Sequence, residues 1–307
     1  MHRNKTKEQE AMIQSDSKRR QGYIALAGCY FIWGFQPLYY ALETTFDTTF
    51  LLACRIIWAA VICTVIIGVQ GKIGQLTSIF RDRSILLREI PASVLLLADW
   101  SIYLFAVRSG RIMECSMGYY IMPLVMFVFG AVIFREKITK LHLAALIFII
   151  IGIIFSAGGF GGFPYVTILL ALCFSVYSAL KKALTVDSVV STTAEIIMMV
   201  PAAVIYLLFF NKSGFTISSI SFPQRLFLAG SGIVTGLPMV LFAVGVDYLP
   251  LTLIGIFQYV SPTLGLICSR IMGEPFTAGK LKSFLFIWAG VIIYMITEIS
   301  EGKKRKV

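Results

Sequence analysis

Residues 50–67 read FLLACRIIWAAVICTVII, eighteen residues of which only Arg55 is charged. As a helix this stretch rises about 27 Å, close to the roughly 30 Å of hydrocarbon in a bilayer. It is not isolated. Further apolar blocks of about 20 residues run along the chain, at 22–42, 49–69, 91–107, 115–134, 141–158, 163–180, 190–210, 226–246, 251–272 and 281–299. The chain of 307 residues is 58% hydrophobic and 14% charged, against about a quarter charged in a soluble domain. These features predict an all-α polytopic membrane protein with ten transmembrane helices. A barrel is excluded because its strands alternate apolar and polar residues, whereas these blocks are continuous. The first block is too long for a cleaved signal, and no small-residue cleavage site follows it.

The net charge of +11 is placed by topology. With the N-terminus in the cytoplasm, the basic clusters before Gln21, within 70–90, within 135–140, at Lys181 and Lys182, and after Gly302 all fall inside. Arg108, Arg111, Lys212, Arg225, Arg270, Lys280 and Lys282 fall outside. The imbalance places both termini in the cytoplasm by the positive-inside rule. It fits contact with anionic lipid better than with nucleic acid. The cysteines lie within the blocks and form no CxxC pair, so neither a disulfide framework nor a thiolate metal site is expected. Of the two histidines, His2 is in the tail and His142 opens a block; no metal motif can be built from them.

The chain echoes itself. LFAV occurs at 104–107 and at 241–244. Gly118, Tyr119, Tyr120, Pro123, Glu136 and Thr139 follow the first copy, and Gly255, Phe257, Tyr259, Pro262, Glu274 and Thr277 follow the second. The segments 25–42 and 167–184 echo as well. Five blocks per half is an odd number, so the halves must enter from opposite sides, an inverted repeat typical of transporters. The organisation is a basic cytoplasmic tail (1–21), a first five-helix half (22–158), a Gly-rich linker (159–162), a second half (163–299) and a basic tail (300–307). GGFGGF at 158–163 joins two spans, which is not the strand–loop–helix setting of a phosphate loop.

A charge at the bilayer centre costs about 2.5–3.5 kcal/mol on insertion scales, so Arg55, Asp99 and Glu195 demand a reason. Arg55 and Asp99 are within reach of an ion pair if their spans are neighbours; otherwise Arg55 snorkels outward along its stem. Asp99 is too central to snorkel and needs a partner, a cavity or a proton. Glu195 is the second-half counterpart of Arg55, about 13 Å away along the bundle axis, too far to pair with it. Alternatively it is an interfacial carboxylate paired with Lys181 or Lys182. Trp58 follows Arg55 by a turn, and Tyr103 follows Asp99. With Trp33, Trp100, Tyr119, Tyr120, Tyr177, Gln258 and Tyr259 they either line a cavity for a planar or amphipathic solute or form bundle core. Pro37, Pro123, Pro238 and Pro262 mark helix breaks, because an interior proline frees a carbonyl that a membrane tolerates only against protein or water.

The segments WGFQPLYY (33–40), CRIIW (54–58), DWSIYLFAVRSGR (99–111), GYYIMPL (118–124), REK (135–137), QYVSPTL (258–264) and GEP (273–275) together resemble the RarD family of EamA-type permeases in the drug/metabolite transporter superfamily. The resemblance covers about Gly22 to Thr297. It implies ten spans in two five-helix halves and a permease of the bacterial cytoplasmic membrane. The chain departs from the family pattern at Cys54, where that pattern has histidine, and at Asp99, Arg108 and Met122, where it has asparagine.

These readings converge on a secondary transporter that moves a small organic metabolite or drug-like solute by alternating access, driven by a proton, another cation or the solute's own gradient. No ATP-binding loop is present, no cofactor is called for, and the partners expected are the solute and the lipid bilayer. Nothing in the sequence indicates an oligomeric state. An intramembrane protease would need a Ser/His dyad, two central aspartates or a metal triad, and the chain offers one central Asp. A non-transporting sensor or assembly factor on the same fold is the remaining alternative.

Overall fold

The computed structural model describes residues 2–134, 139–159, 163–182, 186–211, 214–215, 219–249 and 257–304. Among them the regular secondary structure is all helical, with no strand. The helices are α1 (His2–Ala41), α2 (Thr48–Val69), α3 (Ile73–Arg81), α4 (Arg83–Arg108), α5 (Ile112–Phe134), α6 (Lys140–Gly159), α7 (Tyr165–Lys182), α8 (Ser188–Ile205, continued by a π-turn over Tyr206–Phe210), α9 (Phe222–Tyr248), α10 (Val260–Ile271) and α11 (Ala278–Lys304). Among the described residues the apolar blocks fall mainly on helices; five stretches, on α2, α4, α8, α9 and α11, are by length and composition fit to cross a membrane. Part of the block at 251–272 lies outside the described residues.

Three boundaries differ from the sequence reading, and the first is α1, which begins at His2, within the basic tail and well ahead of the apolar block at 22–42. The stretch 70–90 contains the short amphipathic α3, which buries Leu76 and Ile79. It also contains the start of α4, eight residues ahead of its apolar block. The early start of α4 follows from local chemistry. Asp82 accepts hydrogen bonds from the Ser84 and Ile85 N–H groups (2.8 and 3.4 Å), which starts a helix there whatever the polarity of its first turns. Asp47 starts α2 in the same way through Thr49 and Phe50, and Asp187 starts α8 through Val189 and Val190. Ser221 and Gln224 form a capping box at α9.

Helices pack mainly across the two halves of the chain: α1 on α9 and α10, α2 on α8 and α9, α4 on α7 and α8, α5 on α7 and α10, α6 on α11. Small residues permit this. Gly232 and Gly236, one turn apart on α9, meet α2 so closely that a Cβ at Gly232 would stand 2.5 Å from the Trp58 carbonyl carbon. Gly152 and Gly290 perform the same service between α6 and α11, where added Cβ atoms would fall 3.0 Å from Ser283 O and 2.8 Å from Ala145 O. Outward-facing apolar side chains such as Phe31, Val65, Ile154, Leu208 and Ile296 are left exposed, which suits a hydrocarbon surround and not water.

Candidate functional site

Between α1, α2, α4, α5, α7, α9 and α10 lies a cleft. Its wall includes Trp33, Arg55, Asp99, Trp100, Tyr103, Tyr119, Gln258 and Pro262 from the sequence reading, together with Tyr30, Gln36, Met122, Phe174, Met239, Phe242 and Ser261.

Arg55 neither snorkels nor forms an ion pair with Asp99. It is 3% exposed. Its Nε donates to Thr235 Oγ1 on α9 at 2.8 Å, and its guanidinium carbon lies 4.6 Å from the Trp100 ring centre and 5.3 Å from that of Tyr40. Those contacts fix the guanidinium plane and hold it short of the carboxylate. Nη1 is left buried without a partner, and so is Asp99 Oδ1. Buried charged groups are normally satisfied, so two orphans on one cleft mark a place where something other than protein completes the bonding.

The wall beside them is tied down by a second cross-half contact. Pro238 has no N–H and cannot satisfy the carbonyl of Val234, one turn earlier. Gln36 Nε2 from α1 donates to that carbonyl at 3.2 Å, and the neighbouring Thr235 hydroxyl meets both Arg55 and, at 3.2 Å, Tyr40. Trp33 lies edge-on to Tyr30, and Phe242 stands 5.9 Å from Trp33 and 6.3 Å from Tyr30, so the three rings form one cluster.

Several expected wall residues sit elsewhere. Trp58 is 38% exposed and turns away from the cleft, with its backbone against Gly232; its i+3 spacing from Arg55 brings it near, not onto the same line. Tyr120 and Tyr259 stack on each other 6.1 Å apart in a second aromatic cluster with Phe284 and Trp288, and the Tyr120 hydroxyl is bonded to Thr263 Oγ1 at 2.6 Å. Consecutive helix residues point about 100° apart, so Tyr119 takes the cleft position and Tyr120 does not. Of the prolines, Pro37, Pro123 and Pro238 are interior to α1, α5 and α9. Pro262 occupies the first turn of α10, where a missing N–H is harmless. It lines the cleft without breaking α10.

Glu195 is fully buried in a separate cluster. Lys181 Nζ stands 2.9 Å from its Oε1, the Tyr177 hydroxyl donates to its Oε2 at 3.0 Å, and the carboxyl of Glu89 is within hydrogen-bonding reach. Ser191 donates to Glu89 Oε1 at 2.6 Å and accepts from Lys181. Glu89, also fully buried, escaped the sequence reading because it precedes the apolar block of its helix. Just beyond, Lys72 pairs with Asp187 at 2.7 Å. Partial burial pushes the Asp187 carboxyl up, but Lys72 and the Val190 and Val189 N–H groups outweigh it and hold the carboxyl below its ordinary value. At the opposite end, burial raises Glu274, whose carboxylate accepts the N–H groups that open α5 at Ile112 and Met113. Arg108 there donates to the backbone oxygens of Glu43, Thr44 and Phe46, fastening the α1–α2 loop. Among the described residues no group of three His, Cys, Asp or Glu is placed to hold a metal.

Comparison with known proteins agrees with this architecture. The model of the EamA-like transporter family matches residues 20–158 and again 164–296. A Bacillus subtilis protein described as uncharacterized transporter YojE is 36% identical, covering 94% of this chain and 98% of its own. Protein RarD of Escherichia coli is 29% identical over 92% of this chain and 97% of its own. A solved crystal structure superposes with a TM-score of 0.58 over 92% of this chain and 97% of that one, at 18% identity.

Proposed function

The chain belongs to the EamA-like transporter family, and from that premise we propose that it is a secondary transporter carrying a small organic solute across the bacterial cytoplasmic membrane by alternating access. The architecture proposed is ten spans in two inverted five-helix halves, 22–158 and 163–299, with both basic termini in the cytoplasm. The twofold match to the family model and the packing of nearly every helix against one from the other half support that arrangement.

The observation that carries the reading is the pair of orphaned charged atoms, Arg55 Nη1 and Asp99 Oδ1, buried on the wall of one cleft. Arg55 receives an anionic group of the solute, for which its guanidinium is pre-aligned by Thr235 and the two rings. Asp99 faces the solute's donor or cationic end. The apolar remainder lies against Trp33, Trp100, Tyr103 and Phe242, with Gln258 at the rim. Binding of charge and release to the far side require the halves to move as units, and the cross-half contacts to Thr235 and Val234 put the solute's charged end where both halves meet.

Untargeted metabolite profiling of medium and cytosol, from cells expressing wild type or Arg55→Ala at matched levels, tests this. A compound redistributed by the wild type alone names the solute class and ties Arg55 to it. Equal redistribution by both removes Arg55 from the site, and no redistribution by either under import and export conditions removes the transporter reading.

A further inference from the structure

The cluster around Glu195 lies apart from the cleft and shares no lining residue with it. It joins the halves: Glu89 comes from α4, Tyr177 and Lys181 from α7, and Ser191 and Glu195 from α8. Ser93 adds a bond from α4 to the Glu195 carbonyl oxygen at 2.8 Å. Both carboxyls are fully buried, and they face one ammonium. Two carboxylates and one lysine leave a net negative charge in a site with no water-exposed oxygen, which a low-dielectric interior resists. Glu89 Oε2 lacks a hydrogen-bond donor, and Glu195 Oε1 has only the Lys181 ammonium, at 2.9 Å. One proton shared between the carboxyls cancels the surplus charge and supplies the missing donor.

We propose that Glu89 and Glu195 form a proton-binding site, loaded and emptied from water by way of Lys181, and that this site, not the cleft, holds the coupling proton of the transport cycle. The coupling role rests on the transporter reading above. Lys181 suits the route: its side chain is 17% exposed, while that of Glu195 is closed. With the proton bound, α4 packs against α7 and α8 through a neutral network. When it leaves, two like charges repel across the contact between halves, and the contact is biased to open.

The other ionisable groups near the site are accounted for. On α7 they are Tyr165, Cys173 and Tyr177; on α4 itself Asp99 and Tyr103, both in the cleft; and on α5 Glu114, Cys115, Tyr119 and Tyr120, of which Tyr119 lines the cleft and Glu114 pairs with Arg111. Arg81 of α3 and Arg88 of α4 are exposed, and Lys72 is committed to Asp187. On α2 they are Cys54, Arg55 and Cys63, with Arg55 held in the cleft. On α9 Arg225, Asp247 and Tyr248 stand at the helix ends. Tyr206, in the π-turn, reaches Asp47 at the other end of the bundle.

The test is infrared difference spectroscopy with proton-uptake measurement across a pH titration of purified full-length protein, with no solute present. Wild type shows a protonated-carboxyl band that disappears with alkalinisation. Glu89→Gln and Glu195→Gln each lose that band and take up about one proton fewer, while Asp99→Asn retains it. A band and uptake unchanged in either glutamine variant overturn the proposal. Tyr177→Phe keeps both carboxyls and the fold; it shifts the midpoint of uptake by about half a pH unit or more, and an unmoved midpoint also counts against the site. Because nothing is transported in this measurement, its failure leaves the solute reading standing, and the failure of metabolite redistribution leaves the proton site standing.

Discussion

The cleft around Arg55 and the cluster around Glu195 bury the same kinds of charge in opposite ways. In the cluster, carboxylates and ammonium are turned on one another and on hydroxyls, so the protein completes most of its own bonding. In the cleft, Arg55 is gripped on one edge by Thr235 and on its faces by Trp100 and Tyr40, while its free nitrogen and the free oxygen of Asp99 are left open. The cluster, too, keeps a carboxyl oxygen short of a donor, but it sits among protein side chains and suits a proton, whereas the orphans of the cleft line a cavity and suit a solute.

Substitutions that remove one charge from each region sharpen that difference. Lys181→Met strips the cluster of its only cation, and thermal melting of the purified protein should show a loss of about 3–5 kcal/mol; a melt within experimental error of wild type would erase the distinction. Arg55→Met should do the reverse, lowering transport about 30-fold or more, the equivalent of about 2–5 kcal/mol, with a melting temperature equal to or above wild type because an incompletely bonded buried charge has gone. Thr235→Val leaves the charge and removes its alignment. A hydrogen bond to a charged group is worth about 1.5–3 kcal/mol, so solute affinity should fall about tenfold with yield and melting little changed. The smallest effect lies outside both regions. Asp187→Ala removes the cap of α8 and the tie to Lys72, a loss of about 1 kcal/mol. Because the folded carboxyl is held below its ordinary value of about 3.9, its contribution is complete above that pH and is lost as pH falls through the folded value. Acid titration of the melting temperature should therefore be steeper for wild type than for Asp187→Asn.

What the sequence made legible depended on contrast. Arg55, Asp99 and Glu195 stood out because each interrupts an apolar run, and Trp33, Trp100 and Tyr103 were found because they share those runs. Glu89 was invisible for the opposite reason: it lies among polar residues of a helix that Asp82 starts before the apolar block. Thr235 carries no local signal, and Gln36 and Phe242 lie in quoted segments that do not single them out, since their part in the cleft arises from helices far apart in the chain. Direction was the other loss. Trp58 and Tyr120 occupy the right depth but the wrong side of their helices, and periodicity over a uniformly apolar span gives little to tell the sides apart.

The bond between Gln36 and the Val234 carbonyl has a consequence for how this molecule can change through descent. Pro238 creates the vacancy that Gln36 fills, so the two residues form a single heritable unit divided between distant parts of the chain. A lineage that replaces the proline with an ordinary helix former restores the internal bond and frees the glutamine to drift; one that loses the glutamine first leaves a bare carbonyl beside the cleft. The order of loss is therefore asymmetric, and among descendants the proline should disappear before its partner does.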